Sequence, residues 1–448
     1  MSIERITFIR PNMRDMRASD AMEPMVFAIL ASLTSADIAL ELYDERLEPI
    51  PRGHPTDLVA ITVETYTARR AYQIAAGYRA RGIPVVMGGY HPTLLPAEAL
   101  QYCDAVVLGD AEAVWGELLD DARRGRLQRV YRRPAPNPLV APQPMRQLFA
   151  GKRYAPLGLV QYGRGCRFAC DFCSIHAFYG KDLIQRPVRD VVAEIESLDR
   201  RVLFFVDDNL FSNARNAEAL FRALIPLKVR WSCQVSIDIA RNDALLALME
   251  KSGCKAVLIG FESLNEANLQ QMKKKWNLKR GDYATAIRKF HDRGLMIYGT
   301  FVFGYDHDTV EAFDVTVDFA VRSGFYLANF NPLTPTPGTA LYERLKAQRR
   351  LLFDRWWLDP AYRYGQATFQ PVGMTPEDLT AGCLRARRRF YEYGSMLRRA
   401  VGGGIRLTDP YHVGIYSLSN LISRREIRRK QDIRFGDDTP LVPHPEAV

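Results

Sequence analysis

Two stretches of this chain alternate short β-branched runs with helical patterns, and nothing else in it constrains the fold as tightly. In the first, RITFIRP, IALELYD, TDLVAITVE, IPVVMGG and DAVVLGD read as strands, the last of these closing the set. Between them MEPMVFAILASLT, TARRAYQIAAGYRARG and AEAVWGELLDDARRG carry apolar residues at helical spacing. A continuous apolar run such as LVAITV is the pattern of a strand buried on both faces of a parallel sheet. The alternation predicts an open, doubly wound, Rossmann-like α/β domain over residues 1–132.

RRPAPNPLVAPQPM follows, with five prolines in fourteen residues. Such a segment is a stiff, non-helical connector, so residues 133–155 are expected to be a linker. The second alternating series has strands in LGLVQYG, RVLFFVDD, RWSCQVSID, KAVLIGFES, LMIYGTFVFG and LANFNPLTP. Its helices include VRDVVAEIESLDR, NAEALFRALIPL, NDALLALMEKSG and YATAIRKFHDRG. Six strands with helices between them exceed a small open sheet and fit a partial (β/α)6 TIM-like barrel over 156–340. Barrels of this kind place their sites at the carboxyl ends of the strands. Beyond Thr339 the alternation stops. LYERLKAQRRLL, TPEDLTAGCLRARRRFYEYGSMLRRA and YSLSNLISRREIRRK predict a helical extension over 341–448, and DDTPLVPHPEAV a disordered tail.

With 448 residues, 47% of them hydrophobic and 25% charged, the chain has the composition of a globular protein with more than one core. No apolar run approaches the roughly 20 residues of a membrane span. The opening MSIERITFIRPN carries an acidic residue and is immediately strand-like, unlike an export signal, which implies a cytoplasmic protein. The net charge of +10 is uneven: Leu384 to Phe435 hold thirteen Lys and Arg against four Asp and Glu. That is either a solvated helical face or a patch for an anionic substrate or a peripheral membrane contact. No aromatic platform or known module accompanies it, so no nucleic-acid partner is expected.

Three of the seven cysteines, Cys166, Cys170 and Cys173, fall in GRGCRFACDFCSIHAFYG. Cys103, Cys233, Cys254 and Cys383 are scattered and read as small buried apolar residues. An odd count without an export signal argues for metal or redox chemistry over a disulfide framework. Zinc would take His176 as a fourth ligand. A four-iron cluster held by three thiolates instead leaves one iron open to an outside ligand. A loop leaving the first strand of a barrel-like series favours the cluster, and Gly163 and Gly165 let backbone approach a large cofactor.

CxxxCxxC after a first barrel strand, with aromatic Phe172 before the last cysteine, resembles the cluster loop of the radical S-adenosylmethionine (SAM) superfamily. The resemblance runs over roughly Leu157 to Gly338. It implies a 4Fe-4S cluster on Cys166, Cys170 and Cys173 whose open iron chelates SAM. It also implies reductive cleavage to a 5′-deoxyadenosyl radical, with an electron donor such as flavodoxin or ferredoxin. SAM-contacting positions implied by the same likeness are Phe172, then VDDN (Asp207, Asp208, Asn209), which departs from the commoner Gly-Gly-Glu. Gln234, Ser236 and Asp238 share one face of the next strand, and Gly260 and Glu262 lie in AVLIGFES. FVFGYDHDT and NPLTPTPGT would close the barrel mouth. Helix capping by Asp207 and Asp208, and a turn role for His307, account for those residues equally well.

ITVETYTARRAY, VVMGGYHPTLLPAEAL and DAVVLGDAEAVW resemble the cobalamin-binding domain that precedes the barrel in one large radical SAM subclass. The cobalamin-binding candidates are then Thr62, Glu64, Thr65, Gly88, Gly89, Tyr90, His91 and Gly109, at the carboxyl ends of strands. PNMRDMRASD lacks the cobalt-binding histidine of Asp-x-His-x-x-Gly. The subclass implies a cobalamin-dependent C-methyltransferase acting on a small-molecule or lipid-like substrate. Cyclisation, ring contraction, C–C coupling and desaturation use the same architecture, and a zinc-stabilised binding protein is the non-catalytic alternative. The aromatics of the basic tail (Trp356, Trp357, Tyr362, Tyr364, Tyr391, Tyr393) are candidates for the substrate or for ordinary packing.

Overall fold

The computed structural model describes residues 3–14, 17–18, 20–51, 53–134, 139, 142–277 and 283–444. The first series forms a six-stranded sheet of β1 (Arg5–Arg10), β2 (Ala39–Asp44), β3 (Leu58–Thr62), β4 (Val85–Gly88), β5 (Ala105–Leu108) and β6 (Val130–Arg132). All pairs are parallel, in the order β2-β1-β3-β4-β5-β6. Alternate residues of β3 feed two cores: Val59 and Ile61 one, Leu58 and Ala60 the other. Burial on both faces is why this strand reads as unbroken apolar sequence. DAVVLGD is not the last strand, since β6 follows it at the sheet edge.

The second series forms β7 (Gly158–Val160), a short antiparallel hairpin of β8 (Gly163–Arg164) and β9 (Ile184–Gln185), then β10 (Val202–Phe205), β11 (Arg230–Gln234), β12 (Cys254–Glu262), β13 (Met296–Phe303) and β14 (Leu327–Pro332). The six long-range partners lie in the order β14-β13-β12-β11-β10-β7, all parallel, an open barrel wall with helices outside. Its core runs from Val160 through Phe261 and Phe330 to Phe390.

Three expectations about the connections and tail change. Part of the proline-rich segment lies outside the described residues, but the rest docks on the first domain: Phe149 enters its core, and the Met145 amide bonds to the Ala28 carbonyl at 2.8 Å. The extension is not helical throughout, because 348–375 form neither helix nor continuous strand. Trp356, Trp357 and Tyr362 from that stretch, with Phe435, instead complete the core on one face of the first sheet. Residues 445–448 of the tail lie outside the described residues, but the part up to 444 is anchored rather than disordered. Asp437 pairs with Arg70 at 2.7 Å, Gln73 bonds the Thr439 carbonyl at 2.7 Å, and His444 meets Asp104 at 3.2 Å. The long basic helix is also broken, into Pro376–Phe390 and Tyr393–Val401. No helix among the described residues is long and apolar enough to cross a membrane.

Candidate active site

The cysteine loop, residues 165–173, projects from the β8–β9 hairpin at the carboxyl end of the barrel. The VDDN run holds its root. Asp207 accepts from the amides of Tyr162, at 3.0 Å, and Gly163, and Asp208 accepts from the Gly165 amide at 2.9 Å. Burial pushes the Asp207 carboxyl up to about 7 and the Asp208 carboxyl up to about 6, although these amide bonds favour the charged forms. Gly165 has φ +83°, and a Cβ there would sit 2.1 Å from the Asp182 carbonyl oxygen, so only glycine fits. Asn209 joins the loop to the turn after β11: its Nδ2 lies 3.6 Å from the Cys166 sulfur and 3.2 Å from Ser236 Oγ. Since β11 ends at Gln234, Ser236 and Asp238 lie beyond the strand and not on one face of it.

Further anchors of the loop were not visible in sequence. Asp171, between Cys170 and Phe172, is buried, accepts from Tyr305 Oη at 2.6 Å and pairs with Arg344 at 2.8 Å. Phe172 lies edge-on to Tyr305. Phe168 stacks on Trp276 with ring centroids 3.6 Å apart. Lys274 is buried beside the loop, bonded to Glu262 at 2.7 Å and to the Gly260 carbonyl at 2.8 Å. Burial alone would lower the Lys274 pKa; Glu262 and Cys170 raise it above the usual value.

The remaining SAM candidates fall into place around this frame. Gln234 Nε2 bonds the Asp208 carbonyl at 2.8 Å, and Asp238 pairs with Arg167. Asp207 is committed to the loop backbone, not to a ligand. The space a side chain at Gly260 would need is filled by Glu262 and Lys274, and Glu262 itself sits at φ 63° where β12 shifts register against β13.

Facing the loop, the first domain opens a cleft at the carboxyl ends of β3, β4 and β5, with about 1150 Å³ of empty space that includes its mouth to solvent. The strand order reverses between β1 and β3, the usual ligand position in such sheets, and the cleft extends from β3 away from that point. Thr62, Glu64, Gly88, Gly89, Tyr90 and Gly109 line it, and Gln161, Arg164, Phe178 and Tyr179 from around the cysteine loop form the opposite wall. Arg164 ties the walls together through Asp110 (3.0 Å) and Glu112 (2.6 Å), and Tyr90 meets Phe178 with ring centroids 4.8 Å apart. Thr65 and His91 are not on this wall. His91 is fully buried, with Nε2 3.1 Å from Tyr72 Oη and 3.0 Å from Glu98 Oε1, its Nδ1 3.4 Å from Thr65 Oγ1. Trp357 from the tail donates to the same carboxylate at 2.9 Å. His91 and Thr65 thus belong to a core network that fixes the tail. Trp356 and Trp357 are fully buried in that core rather than offered to a substrate, and Tyr391 is buried with its hydroxyl on Ala328.

The donor set suits an iron–sulfur cluster: three free thiols on one glycine-hinged loop, with Cys170 buried. Among the described residues no three His, Cys, Asp or Glu side chains are already grouped as a metal site. His176 gives its Nδ1 to the Gly180 carbonyl at 2.8 Å. The other four cysteines are buried in the cores, as free thiols.

The Radical SAM superfamily profile matches residues 160–320. Bacteriochlorophyllide d C-12(1)-methyltransferase of Chlorobaculum tepidum is 31% identical over 392 residues, spanning 85% of each chain. Bacteriochlorophyllide d C-8(2)-methyltransferase of the same organism is 30% identical over 353 residues, spanning 74% of this chain and 78% of its own. Among solved structures, the radical SAM methyltransferase TsrM of Kitasatospora setae, with cobalamin and a 4Fe-4S cluster bound, aligns with a TM-score of 0.64 at 17% identity, over 96% of this chain and 99% of its own. The chain therefore belongs to the radical SAM superfamily and is a radical SAM enzyme, with a 4Fe-4S cluster and SAM as its cofactors. That membership removes the zinc-stabilised binding protein from consideration.

Proposed function

We propose that this protein is a cobalamin-dependent radical SAM C-methyltransferase that methylates an unactivated carbon of a small-molecule substrate. One observation carries the reading: a single cleft has the strand ends of the doubly wound domain as one wall and the flank of the cysteine loop as the other. A flat macrocycle seated against Gly88, Gly89 and Gly109 would face Arg164, Phe178 and Tyr179, the residues on either side of the cysteine loop. Gly89, at φ +103°, leaves no room for a side chain against the Val63 backbone. Cys166, Cys170 and Cys173 would hold the cluster. Asn209, Ser236 and Gln234 lie on the barrel side, where SAM would bind.

When bound, cluster and cobalamin supply one-electron cleavage of SAM and a methyl donor; each methylation consumes two SAM molecules and two electrons from an external reductant. The chain's own residues position and exclude water. Asp207 and Asp208 fix the loop, and Arg164 closes the cleft against the barrel. Likeness over 85% and 74% of the chain to two enzymes named for bacteriochlorophyllide d makes a cyclic tetrapyrrole the first substrate class to test. Anaerobic protein supplied with cobalamin, reductant, methyl-deuterated SAM and bacteriochlorophyllide d should yield 5′-deoxyadenosine and a product bearing the labelled methyl. Deoxyadenosine with an unmethylated, oxidised or cyclised product would place the enzyme among the other radical chemistries. Loss of all cleavage on replacing the three loop cysteines by alanine is also required.

A further inference from the structure

The barrel mouth holds a second recess, with about 770 Å³ of empty space, between the ends of β13 and β14, the tail and the first domain. Phe172 of the cysteine loop forms part of its wall, with Tyr66, Tyr362 and Tyr364. Thr334 and Thr336 add hydroxyls. Its one cationic wall residue is Arg387, on the helix Pro376–Phe390.

Arg387 is only 8% exposed, yet its guanidinium is only partly used. Nε reaches the Cys383 carbonyl at 3.3 Å, Nη2 is buried without a hydrogen-bond partner, and among the described residues the group forms no ion pair. A buried guanidinium nitrogen left this way is costly on general grounds, and other arginines of this fold keep their terminal nitrogens partnered. Arg399, also buried, spends both terminal nitrogens on the carbonyls of Phe325, Tyr326 and Phe390 and on Asn420 Oδ1. Arg186 and Arg146 both pair with Glu194 at 2.6 Å.

We infer that Arg387 is a substrate-anchoring residue that takes a carboxylate of the molecule to be methylated, seating its apolar or aromatic body among the rings beside Phe172. A single guanidinium with hydroxyls nearby matches one planar monoanion in a bidentate fork; a phosphate dianion would leave charge unbalanced in a recess with one cationic wall residue. The inference rests on the methyltransferase reading for what the bound molecule becomes, but not for the binding itself.

The test uses anaerobic holoenzyme with bacteriochlorophyllide d and the methyl ester of its free carboxyl, binding being followed by the pigment's absorption shift. Wild type should bind the acid about 30- to 100-fold more tightly than the ester. R387M should lose that preference, and R387K should recover part of it, keeping charge without the fork. Both variants should retain wild-type iron content and substrate-independent SAM cleavage, which also shows that they fold. Equal affinity of wild type for acid and ester, no binding of either, or a preference that survives in R387M would each overturn the assignment. Absence of SAM cleavage in wild type would instead overturn the radical reading.

Discussion

Replacing Gly165 by alanine tests how the cysteine loop is held. At φ +83° a Cβ costs about 1–2 kcal/mol. That Cβ would also lie 2.1 Å from the Asp182 carbonyl oxygen, a backbone atom that cannot swing aside. The β8–β9 hairpin must then open by about 1 Å to reach an ordinary contact. Opening stretches the 2.9 Å bond from the Gly165 amide to the buried Asp208 carboxyl, a loss of about 1–3 kcal/mol. The sum, about 2–5 kcal/mol, lowers the weight of the closed loop by roughly 30-fold to several thousandfold. Gly180 is the control: its φ of +60° is also left-handed, but no atom lies within 4 Å of its Cβ, so only the conformational cost applies. After anaerobic reconstitution, G165A should hold less than about a tenth of wild-type iron and form correspondingly little 5′-deoxyadenosine, while G180A, carrying only the conformational cost, should lose clearly less than G165A. Circular dichroism should show the barrel intact in both. Full iron and full cleavage in G165A would refute the argument.

Asp207→Ala strands two buried amides, so cluster loading should fall with it, and Asp207→Asn should recover part of the loss; unchanged iron in the alanine variant would contradict the anchoring role. His91→Ala breaks a buried network shared with Glu98, Tyr72 and Trp357, and should cost about 3–5 kcal/mol in thermal or denaturant unfolding. The cobalamin absorption spectrum of H91A should nonetheless match wild type, because His91 does not line the cleft. Burial lowers the His291 pKa to about 4, and Nε2 has no partner. Its neutral form therefore contributes stability that is complete above the unfolded value near 6.5 and lost as pH falls from there to about 4. H291F should flatten the unfolding midpoint over that window, and an unchanged acid slope would count against it.

Much of the architecture was legible because the strands are buried on both faces. β3 and β12 carry unbroken apolar runs that no exposed element would keep. β6 escaped notice because it is three residues long, with only Tyr131 buried between exposed Val130 and Arg132. The cysteines were legible from spacing alone, whereas their supports were not. Asp171 meets Tyr305 and Arg344 across 134 and 173 residues of sequence, and no local pattern foretells such pairs. His91 was misplaced for a related reason. Its position after a strand-end Gly-Gly-Tyr suggests a ligand wall, but the tail's Trp357 and the helix residue Tyr72 turn that side into core. Arg387 sits in a run of arginines, and sequence cannot tell the one facing a recess from those facing water.

The proposed function requires one cleft to bring a cobalamin alongside the cysteine loop. Electron paramagnetic resonance of anaerobic protein, holding both cob(II)alamin and a reduced cluster, tests it most directly. The account predicts a cobalt signal broadened or split by the neighbouring cluster spin, reverting to the simple pattern when the cluster is oxidised. A cobalt signal indifferent to the cluster's oxidation state, or one identical to free cob(II)alamin, would contradict it.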